Sequence, residues 1–172
     1  MLNIRPAVAE DAPFIFRLIR ELAEYEQLLT AMTVTEKDLV RDGWGPSPKF
    51  RCVIAEWSGE GVGYALFFHN YSTFRGRPGL YLEDVFVRPA FRGRGIGKRL
   101  LAHVAQIAVR EQCARFEWQV LDWNKPALEF YKSLGAVELS EWRTMRVQGE
   151  ALNALAHDGQ SQERAATWNE AL

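Results

Sequence analysis

Cysteine is scarce in this 172-residue chain: Cys52 and Cys113 are the only two, too few and too isolated for a disulfide framework or a zinc site. His69, His103 and His157 lack metal-ligand spacing, so no metal is expected. An excess of either charge is missing as well. With 21 basic and 22 acidic residues the formal net charge is −1, and the molecule as a whole has no electrostatic reason to seek nucleic acid or an anionic membrane. No apolar run approaches the ~20 residues of a membrane-spanning helix, and no charged-then-apolar leader precedes Asn3. Repeats and low-complexity segments are absent. These lacks point to a reduced, cytoplasmic setting. What the chain does have is 48% hydrophobic residues, enough for one substantial core. A single domain is expected over residues 1–156, followed by a polar tail over 157–172.

The hydrophobic pattern predicts an order of elements. Leu2 to Arg5 makes a short strand before Pro6, and Asp11 with Pro13 opens a helix whose Ala12, Ile15, Ile19 and Leu22 share a face. That helix ends near Tyr25 and Glu26. Thr35 and Asp38 form a capping box for a second helix, stopped by the Gly43 to Pro46 cluster. Arg51 to Trp57 and Val62 to His69 read as a hairpin, and Asn70 to Gly79 as a loop. Leu80 to Val87 is aromatic and β-branched and reads as a central strand. From Gly95 to Arg110, Ile96, Leu100, Val104 and Ile107 recur at helical spacing. Arg115 to Leu121 alternates as a strand, Asn124 and Pro126 open a helix that Gly135 stops, Trp142 to Gln148 reads as a last strand, and 149–156 as a short helix. Hairpins mixed with strand-helix-strand crossovers predict an α+β fold with antiparallel and parallel pairs in one sheet, helices covering its faces.

Between the central strand and the long helix stands FRGRGIGKRL, residues 91–100, with three glycines and four cations. A glycine-rich turn opening a helix aims several backbone N–H groups at one point, reinforced by the positive end of the helix dipole. An anion, phosphate above all, suits such a turn. The P-loop pattern does not fit, because Arg92 stands where it needs glycine and Arg99 where it needs Ser or Thr. Gly93, Gly95 and Gly97 run G-x-G-x-G late in the chain, which also misses the dinucleotide-binding pattern. A solvated basic face without a ligand is the bland alternative, and it fits Arg99 best.

Arg92 to Gly97 resembles the R/Q-x-x-G-x-G/A pyrophosphate loop of the GNAT superfamily of acetyl-CoA-dependent N-acetyltransferases. Downstream, Asn124-Lys125-Pro126-Ala127-Leu128-Glu129-Phe130-Tyr131 is similar to that superfamily's N-x-x-A-x-x-F-Y signature. More narrowly, LYLEDVFVRPAFRGRGIGKRLL, VLDWNKPALEFYKSLGA, IRELAEYE and the DGWG turn resemble the diamine (spermidine/spermine) N-acetyltransferases and their thialysine-acetylating relatives, from about Ile4 to Ala156.

The resemblance implies a mixed sheet of about six to seven strands, splayed between the fourth and fifth. Main-chain groups of Val85, Phe86 and Val87 would then hold the pantetheine arm of acetyl-CoA. Arg92, Gly93, Arg94, Gly95, Ile96, Gly97 and Lys98 would receive its pyrophosphate, with Asn124 and Ala127 along its path. Glu83 is the expected general base and Tyr131 the acid that protonates the leaving thiolate. Substrate contacts are expected from Tyr25, Glu26, Phe74, Glu83 and Asp84, and no metal takes part. The implied partners are a small primary amine, polyamine or amino-acid-like, attacking directly in a ternary complex, and a second copy of the chain in a homodimer. Acetylation of a protein or peptide, or acetyl-CoA sensing without turnover, are the alternatives. Without the motif, Tyr131 reads as part of an apolar helical stripe, Asn124 as a helix cap, and the Glu83-Asp84 pair as alternating to opposite faces of its strand.

Overall fold

The computed structural model describes residues 1–157, so the tail expected from 157 onward lies, beyond its first residue, outside the described part. Its elements follow in the order β1 (Leu2–Pro6), α1 (Ala12–Tyr25), α2 (Glu36–Trp44), β2 (Arg51–Trp57), β3 (Glu60–Ser72), β4 (Arg77–Val87), α3 (Ile96–Arg110), β5 (Phe116–Trp118) and α4 (Lys125–Ser133). Two units divide the chain: Met1–Leu121 holds the sheet with α1 to α3, and the second, beginning at Asp122, holds α4.

In the first unit the strands lie in sequence order. β1 to β4 pair antiparallel, and β5 joins β4 in parallel. Cys52 to Ala55 of β2 are buried without interruption, as a strand covered on both faces must be. Ile54, Tyr64, Leu66 and Phe86 pack with Ala12, Ile15 and Leu18 of α1 and Leu39 of α2. Their neighbours on the opposite face, Val53, Ala65, Phe67, Leu80 and Leu82, are equally buried. That second layer is closed by Ile96, Leu100 and Val104 of α3. The expected capping box opens α2: the Asp38 amide donates to Thr35 Oγ1 at 3.2 Å and the Thr35 amide to Asp38 Oδ2 at 3.0 Å.

β4 departs from regular alternation at one residue. Asp84 lies opposite Leu66 and Leu82 opposite Phe67, so Glu83 is an extra residue in a β-bulge. Phe86 therefore faces α1 while Leu82, four residues earlier, faces α3. The expectation that Glu83 and Asp84 simply alternate is corrected by this bulge, which bends the strand and re-aims its side chains. Just past β4, Arg88 forms a fork with Glu21 of α1, Nη2 to Oε1 at 2.8 Å and Nε to Oε2 at 3.1 Å, and sits 5.5 Å over the Phe14 ring. This pair pins the end of β4 beside α1.

Three other expectations change. The hairpin of β3 and β4 is longer than predicted, running through Ser72 and resuming at Arg77, because polar residues near its tip still satisfy the ladder. β5 is shorter, three residues long. Residues 142–148 form no strand, so the described residues hold five strands rather than six or seven. Trp142, Met145 and Val147 are exposed; strand preference expresses packing against neighbours, and no ladder partner for this segment occurs among the described residues. The predicted short helix is present at 150–157.

Candidate active site at the end of β4

The parallel ladder of β4 and β5 stops at Leu82 with Trp118. β4 continues for five more residues, 83–87, of which Asp84 to Val87 remain paired with β3, and no strand lies on the other side among the described residues. Backbone N–H and C=O groups on that edge need partners from elsewhere. This is the splay expected between the fourth and fifth strands, and it bares the main chain of Val85 to Val87. Phe86 points its ring into the core, at 4% exposure, so the main chain is what it can offer.

A short turn then leads into α3. Gly93 and Gly95 both have φ of +75°, a left-handed conformation that costs a residue with a Cβ about 1–2 kcal/mol. A Cβ at either position would meet nothing within 4 Å, so the backbone there faces open space. Gly95 is the N-cap of α3 and no side chain caps the helix; the amides of its first turn point outward unsatisfied by any cap. Ile96 buries its side chain at 1% exposure and contributes only its amide. Lys98 is exposed. The glycine cradle and uncapped turn thus fit a pyrophosphate, the group the resemblance assigns to them.

The arginines of the turn are less free than the sequence suggests. Arg92 donates from Nε to the Val87 carbonyl at 2.9 Å and lies over the rings of Tyr25 (4.7 Å) and Phe86 (5.5 Å). It thereby occupies one of the carbonyls expected for pantetheine and ties the end of α1 to the end of β4. Arg94 stacks on Trp57 and Phe91 at 5.4 and 5.3 Å.

Beside this positive turn stands a negative cluster. Asp84 accepts a hydrogen bond from the Tyr64 hydroxyl at 3.0 Å. Burial pushes the Asp84 carboxyl up to about 6; the bond from Tyr64 opposes the rise, and the charges of Glu83 and Glu26 add to it. Glu26, at the C-cap of α1, is raised by dehydration too. Burial and the charge of Asp84 raise Tyr64 well above an ordinary phenol, which keeps it a donor. The structure therefore brings together Glu26, Glu83 and Asp84, with Tyr25 joined to the turn through Arg92. Glu83 is the exposed member and Asp84 the dehydrated one. A carboxylate of raised proton affinity in such a place accepts a proton near neutrality more readily than an ordinary one.

Phe74 is not brought to this cluster. It sits at 95% exposure on the turn between β3 and β4, and Arg77 alone is already six residues, or about 20 Å of extended strand, from Glu83.

In the second unit, Asn124 is buried and caps α4, accepting from the Ala127 amide at 3.3 Å, with Pro126 in the first turn. Tyr131 is half-buried with its ring 5.4 Å from that of Phe130, and Gly135 ends the segment at φ +89°.

Sequence reasoning missed Tyr64. A tyrosine within an apolar strand reads as core, and only the bulge that turns Asp84 toward it reveals the pair.

Comparison with known proteins agrees with this geometry. Residues 14–136 match the model of the acetyltransferase (GNAT) family. A thialysine N-epsilon-acetyltransferase from Bos taurus is 44% identical over 164 residues, covering 89% of this chain and 96% of its own. An L-ornithine N5-acetyltransferase from Arabidopsis thaliana is 32% identical, covering 89% and 87%. Among solved structures, an integron cassette protein from V. cholerae superposes with a TM-score of 0.76 at 26% identity, covering 90% of this chain and 97% of that one.

Carbon-detected NMR of the aspartate carboxyls tests the cluster. Asp84 is expected to titrate near 6, and Tyr64→Phe to move it higher still, since the lost hydrogen bond favoured the charged form. A midpoint at the ordinary aspartate value of about 4, unmoved by Tyr64→Phe, would contradict the dehydrated environment.

Proposed function

The chain belongs to the acetyltransferase (GNAT) family, and from that premise we propose that it transfers acetyl from acetyl-CoA to the side-chain amine of a small amino-acid-like molecule. The observation that carries this reading is the adjacency, at the end of β4, of an anion-receiving turn and a cluster of three carboxylates. One suits a diphosphate and the other a cationic amine. The relatives named for thialysine and ornithine acetylation favour an amine that is itself part of an amino acid.

Acetyl-CoA supplies a thioester carbonyl and a thiolate leaving group. The chain's residues do the rest. Amides of Gly93, Gly95, Ile96, Gly97 and Lys98 receive the pyrophosphate, helped by the arginines of the same turn, and the β4 edge from Val85 to Val87, apart from the Val87 carbonyl that Arg92 occupies, holds the pantetheine. Asn124 and Ala127 belong to the motif that the resemblance assigns to its path. An alkylamine of lysine type has a pKa of about 10.4 and arrives protonated, so a base must free its lone pair. Glu83 and Asp84 share that work: exposed Glu83 meets the ammonium, and Asp84, with its raised proton affinity, provides the sink. Tyr25 and Glu26 complete the amine side. Tyr131, a phenol that stays protonated at neutral pH, gives its proton to the departing sulfur.

Two further elements belong to the same reading. A cytoplasmic setting suits two free thiols, of which Cys52 is made inert by burial that raises its pKa. A homodimer is supported by the exposed Val137, Trp142, Met145 and Leu155 of the second unit, an apolar set that a partner copy would cover.

A panel of thialysine, ornithine, putrescine, spermidine and a lysine peptide, followed by release of free thiol from acetyl-CoA, tests the assignment. The two amino acids should be turned over fastest; a peptide acetylated faster than either would overturn it. Tyr131→Phe should lower kcat by about 10²- to 10⁴-fold, the usual range for a general acid, with KM for the amine little changed. Full-speed turnover by that variant would remove the role.

A further inference from the structure

At the far end of α3 from the glycine turn, a cavity of about 890 Å³ opens between the start of β2, the middle of β3 and the last turns of the helix. Ile107 lies on its wall, eleven residues and about 16 Å of helix from Ile96, so the cavity is separate from the acetyl-transfer cluster. It exists because β1 ends opposite Val53 while β2 starts two residues earlier. Pro48, Lys49 and Phe50, from the segment after α2, line it. Trp44 and Phe50 meet edge to face at 6.1 Å, and the Trp44 indole donates to the Ala7 carbonyl at 3.2 Å, which fixes one aromatic wall. Buried Phe67 and Ile107 supply the floor.

The mouth has one sign of charge. Lys49, Arg51, His69, His103 and Arg110 line it, and no Asp or Glu does, among the described residues, in a chain whose charges otherwise nearly balance. These groups are not equivalent. Arg51 is neutralised by a two-pronged pair with Glu111 at 2.7 and 2.8 Å, where His69 also meets Glu111 at 2.8 Å. His103 is held toward its neutral form, first by burial and then by the charge of Arg110. Arg110 makes no ion pair among the described residues; the Lys49 ammonium donates to the Ser47 hydroxyl at 3.2 Å and shares its charge with nearby Asp42. One cation without an acidic partner, Arg110, therefore stands on an aromatic-walled cavity of ligand size, with Lys49 close by.

We propose that this cavity is a second ligand site, which binds a small organic carboxylate with an aryl or alkyl body. The apolar body displaces water from Trp44, Phe50 and Phe67, and the carboxylate meets Arg110. An amine of the kind attracted to Glu26, Glu83 and Asp84 is repelled at this mouth, so the two sites sort ligands by sign. The inference rests on the cavity alone and holds whatever amine the acetyl-transfer site takes.

Calorimetric titration of the whole protein with 4-phenylbutyrate and with uncharged 4-phenylbutanamide tests it, with amide NMR to locate the ligand. The acid should bind once per chain, with shifts at Phe67, Phe68 and Ile107, and the amide about tenfold more weakly, as loss of one charge-assisted contact implies. Arg110→Gln, at an exposed position, should weaken the acid about tenfold and leave the amide unchanged, whereas Trp44→Ala should weaken both. Equal binding of acid and amide, indifference to Arg110→Gln, or shifts confined to Gly93 to Lys98 would each overturn the proposal. So would self-association of the chain that Phe50→Asp abolishes, which would give the cavity to a second copy.

Discussion

A strand that outlasts its neighbour organises this protein. The β4–β5 ladder ends after three residue pairs, while β4 runs on to Val87. Backbone groups stripped of a strand partner must bond to something, and here they precede the uncapped start of α3 by a short turn. The sheet and the helices behind it serve to hold that edge open. Arg88 on Glu21 and Arg92 on Val87 and Tyr25 keep the end of β4 fixed against α1. The edge is therefore held in place while lacking a strand partner among the described residues, a combination that a flexible loop would not offer to a ligand.

Segregation of charge does the remaining work. The chain is almost neutral in total, yet acids collect where α1 ends and β4 bulges, and backbone dipoles with cations collect at the start of α3. The bulge makes this possible. Without the extra residue, Glu83 and Asp84 would face opposite sides and one would be spent on the helix-covered layer. With it, Glu83 stays exposed while Asp84 bonds to Tyr64 in a dehydrated niche. A proton acceptor poised near neutrality then arises from burial opposed by a single hydrogen bond, with like charges on either side. The cavity at the other end of α3 is lined by basic side chains, of which Arg51 and His69 share Glu111 and Arg110 makes no ion pair among the described residues.

Much of this was legible in the order of residues because the signals were local. The Thr35–Asp38 box, Pro13 in the first turn of α1, the glycines before α3 and the Asn124 cap each act within a few residues of themselves, and each stands where the pattern put it. The motif from Arg92 to Gly97 and the one from Asn124 to Tyr131 carried the family. What was not legible depends on pairing. A bulge is a mismatch between two strands and leaves no mark on either one, so the relation of Glu83 to Asp84, and the partnership of Asp84 with Tyr64, could not be read from LYLEDVFV. Trp142 to Gln148 failed for the same reason in reverse: its composition favours a strand, but a strand requires an edge to join. Arg92 and Arg94 were visible as charge, whereas their stacking on Tyr25, Phe86 and Trp57 depends on residues distant in sequence.

The central claim is that main-chain amides at the end of β4 and the start of α3 grip the coenzyme. Amide-resolved NMR of the whole protein, recorded with and without CoA, tests it most directly. The account predicts that the amides of Gly93 to Lys98 and of Val85 to Val87 shift together and become protected from exchange, at one CoA per chain. Binding of CoA that leaves those amides unchanged, with the shifts gathered elsewhere on the protein, would contradict it.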